Sequence, residues 1–264
     1  MATLNNKSVI PQKYELDSKL KFRCHPGIKC FTRCCSNIDI LLTPYDVIRM
    51  KNRLGLSSTE LLTEYTRYEV DDKTTHPLVF MRMKEEEGRS CPFVKEKEGC
   101  SIYTDRPAAC RYYPVGQATH RRLDDDDKTP IHDEWYVIVK EEHCLGFEED
   151  KVWTIREWRD DQEAALYDDI NREWKNIMMK QDIAKDRINE KLQQMFYMAS
   201  YDIDNFHRFV FESNFLEVVK LDPEIVEKIR NDEIELMNFG FRYLKYLLGI
   251  EKGFDVKVEP GNKS

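Results

Sequence analysis

The sequence predicts an α-rich α+β protein, in which a small cysteine-rich metal-binding domain with short strands and helices precedes a C-terminal helical region. All eight cysteines lie in the first 144 of 264 residues. From Trp153 onward, apolar residues recur at spacings of three and four, the period of an amphipathic helix. We therefore predict a cysteine-cluster domain over 1–150, a helical region over 151–258 and a disordered tail over 259–264.

The composition of the chain disfavours binding to nucleic acid and to membranes. The chain has 41 basic and 49 acidic residues, a net charge of -8, which disfavours binding to nucleic acid or to an anionic membrane. No segment resembles a signal peptide, and no apolar run approaches the roughly 18 residues of a membrane span. We expect a soluble, cytoplasmic protein that binds neither nucleic acid nor membrane.

Helix-start signals predict two short helices directly after the first cysteines. Thr43 is a suitable N-cap with Pro44 at the first helical position, and Gly55 offers a stop, which predicts a helix over 44–54. Ser57 with a glutamate three residues later forms a capping box and predicts a second helix over 58–67.

Two runs rich in apolar and β-branched residues, at 78–83 and 135–140, predict strands. Beyond them, a segment from Trp153 to Met179 without Gly or Pro predicts helix. Further helices are predicted at about 183–199, 204–219 and 223–248, the last of them starting after an Asp-Pro cap.

Four cysteines lie within the twelve residues CHPGIKCFTRCC. In a reducing cytosol such density favours metal ligands over disulfides, and Gly27 beside Pro26 supplies the turn that wrapping around an ion requires. Cys34 and Cys35 are adjacent, and because neighbouring side chains diverge, both can hardly bind one tetrahedral ion. Either they serve different metal atoms or only one is a ligand. An iron–sulfur cluster or two adjacent sites fits better than one zinc ion.

A second cysteine block reads CPFVKEKEGCSIYTDRPAAC. Gly99 closes its charged loop, and Pro107 predicts a helical turn that carries Cys110. Cys144, after the second predicted strand, would complete a second group of four. The simplest interpretation is two four-thiolate sets, and the predicted metal ligands are Cys24, Cys30, Cys34, Cys35, Cys91, Cys100, Cys110 and Cys144. A single centre, with some cysteines as buried structural thiols, stays open.

The two blocks together resemble the YkgJ-type cysteine-cluster family, which pairs a CxxCxxCC block with a downstream block like CPF…GCxIYxxRPxxCRxYP. The second block matches at Cys91-Pro92-Phe93, Gly99-Cys100, Ile102-Tyr103, Arg106-Pro107, Cys110-Arg111 and Tyr113-Pro114. The first block departs, with five and three intervening residues where the family has two and two. The resemblance spans about 20–150 and implies a zinc- or iron-chelating domain, often described as an iron–sulfur protein.

Three hypotheses of function follow. The first is an iron–sulfur protein for electron transfer or sensing, whose helical region docks a protein partner. The second is a zinc protein with structural thiolate sites and a scaffold role. The third is a protein-modifying enzyme, because the resemblance extends to flagellin lysine methylases. No GxGxxG loop, P-loop, HExxH pair or GxSxG elbow supports an enzyme independently. The catalytic residues therefore stay unknown.

The polar and aromatic residues near the cysteines have plainer alternatives. Arg106 and Arg111 are predicted to bind the cofactor, by donating hydrogen bonds to its sulfurs or offsetting thiolate charge; the alternative is an ordinary carboxylate partner. His25 and His143 are expected to be solvated rather than ligands. The remaining residues are expected to form core or solvated loop: Tyr103, Tyr112, Tyr113, Trp153, Trp158 and Trp174 as core, and Asp124–Asp127 as loop.

Overall fold

The computed structural model of the chain describes residues 9–72, 74–85, 88–123, 130–180, 189–219 and 221–251. Its helices and short strand pairs confirm the α-rich α+β class. The predicted tail and the run Asp124–Asp127 lie outside the described residues.

Short strands and helices make up these segments. The strands are β1 (Lys19–Lys21), β2 (Thr66–Val70), β3 (Pro77–Met81), β4 (Val94–Lys95), β5 (Gly99–Cys100), β6 (Val115–Leu123), β7 (Pro130–Ile138) and β8 (Val152–Thr154). The helices are α1 (Pro44–Leu54), α2 (Ser58–Tyr65), α3 (Ala108–Tyr112), α4 (Ile155–Asp161), α5 (Ala164–Ile170), α6 (Arg172–Met178), α7 (Glu190–Ser200), α8 (Ile203–Glu212), α9 (Phe215–Val218), α10 (Pro223–Asn231) and α11 (Glu233–Leu247).

Two compact units divide the chain. The first comprises the described parts of Met1–Leu42 and Phe80–Asp169, and the second those of Thr43–Val79 and Ile170–Ser264. All eight cysteines belong to the first unit. The predicted domain boundary at residue 150 rests on the composition of the sequence, whereas these units are defined by spatial contacts. The boundary therefore stays a prediction.

Antiparallel strand pairs join parts of the first unit that are distant in sequence. β1 pairs antiparallel with β8, β4 with β5 and β6 with β7, while β2 pairs with β3. In the β1–β8 pair Leu20 faces Trp153, so the chain just before the first cysteines lies beside the chain just after the last one. This pairing joins the two ends of the cysteine-bearing sequence.

The strands and the two helices after them pack around one core in this unit. The buried members of this core are Leu20, Phe22, Tyr112, Val115, Tyr136, Ile138, Ile155, Trp158 and Ala164. Tyr113, Cys144, Phe147 and Trp153 pack against it while partly buried. The loops that carry the cysteines therefore pack against an apolar core.

Local sequence rules hold for the first two helices. Thr43 and Asp46 form the N-terminal capping box of α1, and Gly55 ends it in the left-handed region at φ 67°. Ser57 and Glu60 form the second capping box, on α2. Both predicted helices are confirmed, although α2 ends at Tyr65 because the chain enters β2. The two predicted strands are also confirmed, as β3 and the end of β7.

Helix length is where the sequence prediction is wrong. The segment from Trp153 forms β8 and three short helices, because the chain breaks at Glu163, whose φ is 55°, and again at Asn171. The last predicted helix is two helices, α10 and α11. They separate at Asp232, which is extended and accepts hydrogen bonds from the backbone N–H groups of Ile234 and Glu235.

The second unit is helical around an aromatic core. Trp174, Phe196, Phe206, Phe239 and Phe241 are all buried there. Within the described part of the chain, no helix is both long and apolar enough to cross a membrane.

Candidate metal centre

A series of tight turns folds the first cysteine block. Ile28 N–H donates to the carbonyl of His25 at 3.1 Å, and Arg33 N–H donates to that of Cys30 at 3.0 Å. A short 3₁₀ helix, Arg33–Cys35, completes the block. Turns of this kind bring side chains distant in sequence onto one side of a loop.

Four sulfurs form what we call the first thiol set: Cys24, Cys30, Cys34 and Cys144. Burial and the neighbouring sulfurs of Cys34, Cys30 and Cys144 raise the pKa of Cys24 to about 11. Burial also raises the pKa of Cys144, with Cys30 and Cys34 adding to the shift. Cys24 and Cys144 therefore each lie in the electrostatic range of Cys30 and Cys34.

Cys144 was expected with the second block, and this grouping is wrong. The β1–β8 pairing continues as Phe22 N–H donates to Lys151 O at 2.9 Å and Arg23 N–H to Gly146 O at 3.0 Å. Leu145 N–H then donates to the sulfur of Cys30 at 3.3 Å. Gly146 permits this approach, because a Cβ there would lie 2.5 Å from the Phe22 ring.

The vicinal pair lies where the two cysteine blocks meet. The Cys35 side chain is the largest cause that raises the pKa of Cys34, followed by burial. The backbone of Cys35 accepts a hydrogen bond from Cys91 N–H at 2.8 Å. Cys34 therefore faces the first thiol set while Cys35 is tied to the second block.

We call Cys91, Cys100 and Cys110 the second thiol set. Cys91 precedes the β4–β5 hairpin, in which Cys100 lies opposite Val94, and burial raises the pKa of both thiols. Gly99 turns the hairpin at φ 87°, and the Phe31 ring of the first block lies against it. Cys110 lies on α3, as predicted for the turn after Pro107.

Backbone N–H groups point at the sulfurs of both sets. Phe93 and Val94 donate to Cys91, Ile102 to Cys100 and Gly146 to Cys144, and each of these bonds lowers the thiol pKa against burial. Such donors stabilise the thiolate, which is the form that binds metal.

Arg106 is buried beside the second thiol set. Its exposed fraction is 7%, and its guanidinium lies in the electrostatic range of Cys100 and Cys110. Burial lowers the pKa of Arg106, and Tyr103, Cys110 and Cys100 oppose that shift. Arg106 also donates to the Tyr103 carbonyl at 2.6 Å and stacks over the Tyr103 ring.

Arg111 has a different role. It is 1% exposed, and its guanidinium has five N–H donors. All five are used, by the acceptors Arg106 O, Thr104 O, Gln162 O, Glu163 Oε2 and Tyr167 Oη. No donor is left for a sulfur, so Arg111 ties α3 to the break between α4 and α5.

Tyr113 and Glu141 are site residues that sequence reasoning missed. Tyr113 was expected to be core; its ring does pack on the core, but its hydroxyl donates to Glu141 Oε2 at 3.1 Å. The Tyr113 side chain also lowers the pKa of the Cys144 thiol. Burial is the largest cause that raises the pKa of Tyr113, so the hydroxyl keeps its proton. The CRYYP motif was the available signal, because it places this ring three residues after Cys110.

The two histidines are half-buried and lie beside carboxylates. His25 Nε2 lies 3.5 Å from Glu149 Oε2, and His143 Nε2 lies 3.4 Å from Glu141 Oε2. His25 Nδ1 also accepts a hydrogen bond from Gly27 N–H at 3.2 Å, which supports the loop turn.

The donor set has the chemistry of a soft metal site. Among the described residues, no three His, Cys, Asp or Glu side chains stand close enough to hold an ion as they are placed. Metal binding therefore requires the sulfurs to converge further and to lose protons. Neighbouring thiols, several of which face backbone N–H donors, fit zinc or iron, because both are bound by thiolates.

Comparison with known proteins agrees with this chemistry. Residues 23–150 match the sequence model of the CxxCxxCC family, described as "Putative zinc- or iron-chelating domain". No curated protein and no solved structure matches the chain. The matched segment contains both thiol sets, the vicinal pair and the buried Arg106. The match shows that residues 23–150, just under half of the chain, are similar to this family of zinc- or iron-chelating domains.

Proposed function

We propose that the two thiol sets hold an iron–sulfur cluster that serves electron transfer or sensing. The observation that carries this proposal is the position of the vicinal pair, with Cys34 in the first thiol set and Cys35 hydrogen-bonded to Cys91 of the second block. Eight sulfurs around such a junction suit several metal atoms, whereas one zinc ion takes four ligands.

The electrostatics of the second thiol set support an anionic centre. A buried arginine is costly unless an opposite charge compensates it. Arg106 has the sulfurs of Cys100 and Cys110 as neighbours, and thiolates would supply that compensation. The N–H groups that face Cys91, Cys100 and Cys144 have the same effect, since hydrogen bonds to sulfur help to set cluster potentials.

The alternative is zinc in two separate thiolate sites. The hairpin that follows Cys91 favours this zinc alternative, because the successive N–H groups of Phe93 and Val94 both bond to one sulfur. In that case the thiolates would hold the loops together without redox chemistry.

Metal and acid-labile sulfide analysis of protein purified without oxygen, together with a visible spectrum, separates the two. We expect iron, matching sulfide and a broad absorption near roughly 400 nm, typical of thiolate-bound clusters. Colourless protein with about two zinc ions, as two four-thiolate sites would hold, would overturn the iron–sulfur proposal.

A further inference from the structure

The strand β2 in the second unit has an exposed edge. Within the described part of the chain, β3 is the one strand that pairs with β2, and no isolated bridge touches it. Across this hairpin Asp71 N–H donates to His76 O at 2.9 Å. Successive residues of a strand direct their N–H and C=O groups to opposite sides, so those of Tyr68 and Val70 point away from β3. Tyr68 is 48% exposed and Val70 39%, which makes this edge a template for pairing with another chain.

The hairpin that carries this edge is held against α7. The Tyr68 ring packs edge-on against Tyr197, with 5.4 Å between ring centroids. In the turn of the hairpin, Thr75 O accepts a hydrogen bond from Gln193 Nε2 at 3.2 Å. The edge is therefore ordered before any partner arrives, and pairing loses little conformational entropy.

The charges of β2 fit a second copy of the same strand. Arg67 and Glu69 lie on one face of β2, where they form an ion pair with each other. When two copies pair antiparallel about Tyr68, Arg67 lies opposite Glu69 of the second copy, and Glu69 lies opposite Arg67 of the second copy. Pairing about Arg67 or about Glu69 would instead place like charges opposite each other, which is unfavourable. The charge pattern therefore selects one register, centred on Tyr68.

We propose that β2 is a dimer interface, in which two copies of the chain pair antiparallel about Tyr68 and form one four-stranded sheet. A second copy is the occupant of this edge because the strand is self-complementary, as an interface with two-fold symmetry requires. The two Tyr68 residues exchange N–H···O=C hydrogen bonds, and the four charges alternate on one face of the sheet. This inference does not depend on the proposed metal function.

Charge-reversal variants test both the interface and its register. Arg67→Glu makes the charged face of β2 wholly acidic and Glu69→Arg makes it wholly basic, so neither variant should pair with itself. A mixture of the two places opposite charges together again. Arg156→Glu reverses a charge in an exposed ion pair of the first unit and is the matched control. Sedimentation velocity measures association over a range of protein concentrations, under reducing conditions that prevent disulfide-linked dimers, and far-UV circular dichroism checks the fold.

We expect wild type and Arg156→Glu to dimerise with the same dissociation constant. Each β2 variant alone should associate at least about 10-fold more weakly, because two like-charge pairs replace two opposite-charge pairs. The mixture should recover most of the wild-type affinity. Unchanged dimers in both folded β2 variants would overturn β2 as the interface, and a mixture no tighter than its components would overturn the register.

Amide hydrogen exchange of the wild type tests the interface without any variant. The outward N–H groups of Tyr68 and Val70 should exchange fast in dilute protein and become protected as the protein concentration rises. The N–H groups of α1 should exchange at the same rate at every concentration. A wild type that stays monomeric, with Tyr68 and Val70 unprotected at the highest concentration, would overturn the proposal.

Discussion

At the scale of single residues, several thiols of the first unit combine partial desolvation with repulsion from neighbouring sulfurs. A thiol in such surroundings resists ionisation, as the raised pKa values of Cys24 and Cys34 indicate. A cation removes that resistance, because it attracts every thiolate at once. The same arrangement that disfavours free thiolates therefore favours metal.

Replacing one thiol in each set tests this directly. Cys34→Ser and Cys110→Ser should each lose bound metal and lower the midpoint of thermal unfolding, because ligand binding and folding are coupled. Metal content is measured by elemental analysis of purified protein. Ser36→Ala, beside the vicinal pair, is the control and should keep wild-type metal. Full metal content in both cysteine variants would contradict the assignment of these ligands.

Arg111 should contribute stability rather than metal affinity. Lysine cannot reproduce its five hydrogen bonds, so Arg111→Lys leaves buried and partly buried acceptors without donors and should cost about 2–4 kcal/mol. Urea unfolding measures the change, and the folded fraction should keep its metal. Arg156→Lys, in an exposed pair with Asp17, is the control, with an expected change of less than about 1 kcal/mol. Equal stability of Arg111→Lys and wild type would remove the structural role.

At the scale of elements, packing against α7 buries an ionisable side chain in the second unit. His76 is fully buried and its ring stacks on Phe196, with 5.1 Å between centroids. Neither ring nitrogen has a hydrogen-bond partner among the described residues. Burial lowers the pKa of His76 to about 4, and Asp71 only partly opposes the shift.

This burial predicts an acid-sensitive fold. Between pH 6.5 and about 4 the unfolded chain binds a proton at His76 that the folded chain does not. The stability is therefore present above pH 6.5 and falls as the pH drops towards 4, by about 3 kcal/mol in all. His76→Phe should flatten this dependence in urea unfolding between pH 7 and 4.5, whereas His207→Gln, at a partly exposed histidine, should not. Parallel pH profiles for wild type and His76→Phe would exclude the effect.

The separation of α10 from α11 depends on one cap. Asp232 accepts hydrogen bonds from Ile234 and Glu235 N–H groups that otherwise have no helical partner. Asp232→Ala should lower the free energy of unfolding by about 1 kcal/mol, whereas Asp232→Asn should be nearly neutral, because asparagine caps as well. Chemical unfolding measures both. A neutral alanine variant would show that packing alone fixes the break.

At the scale of the whole molecule, all eight cysteines belong to the first unit. Removing metal with a chelator under reducing conditions should therefore speed amide hydrogen exchange mainly in 20–42 and 88–147, the two segments that carry the cysteines. The second unit, without cysteine, should keep its protection. Uniform loss of protection across both units would instead indicate that metal is not a local stabiliser. The protein partner expected at the helical region stays a prediction.

Much of the fold followed from local rules. The capping boxes at Thr43 and Ser57 and the turn before Cys110 were predictable, because caps and proline act within a few residues. The break at Glu163 was not predictable, because it serves Arg111, a side chain more than fifty residues earlier in the chain. The hydrogen bonding of the Tyr113 hydroxyl was not predictable either, because the same aromatic residue in the same motif can serve as core alone.

The sequence by itself determined the class of fold and the similarity of residues 23–150 to a zinc- or iron-chelating domain, because residue type and motif spacing are written along the chain. The cysteines that it predicts as metal ligands stay predictions. Only the tertiary structure decided which thiols lie near one another. Cys144 joins Cys24, Cys30 and Cys34 because β1 pairs with β8 and the Gly146 turn packs on Phe22. A pairing between segments more than a hundred residues apart depends on the whole core, and no local pattern encodes it.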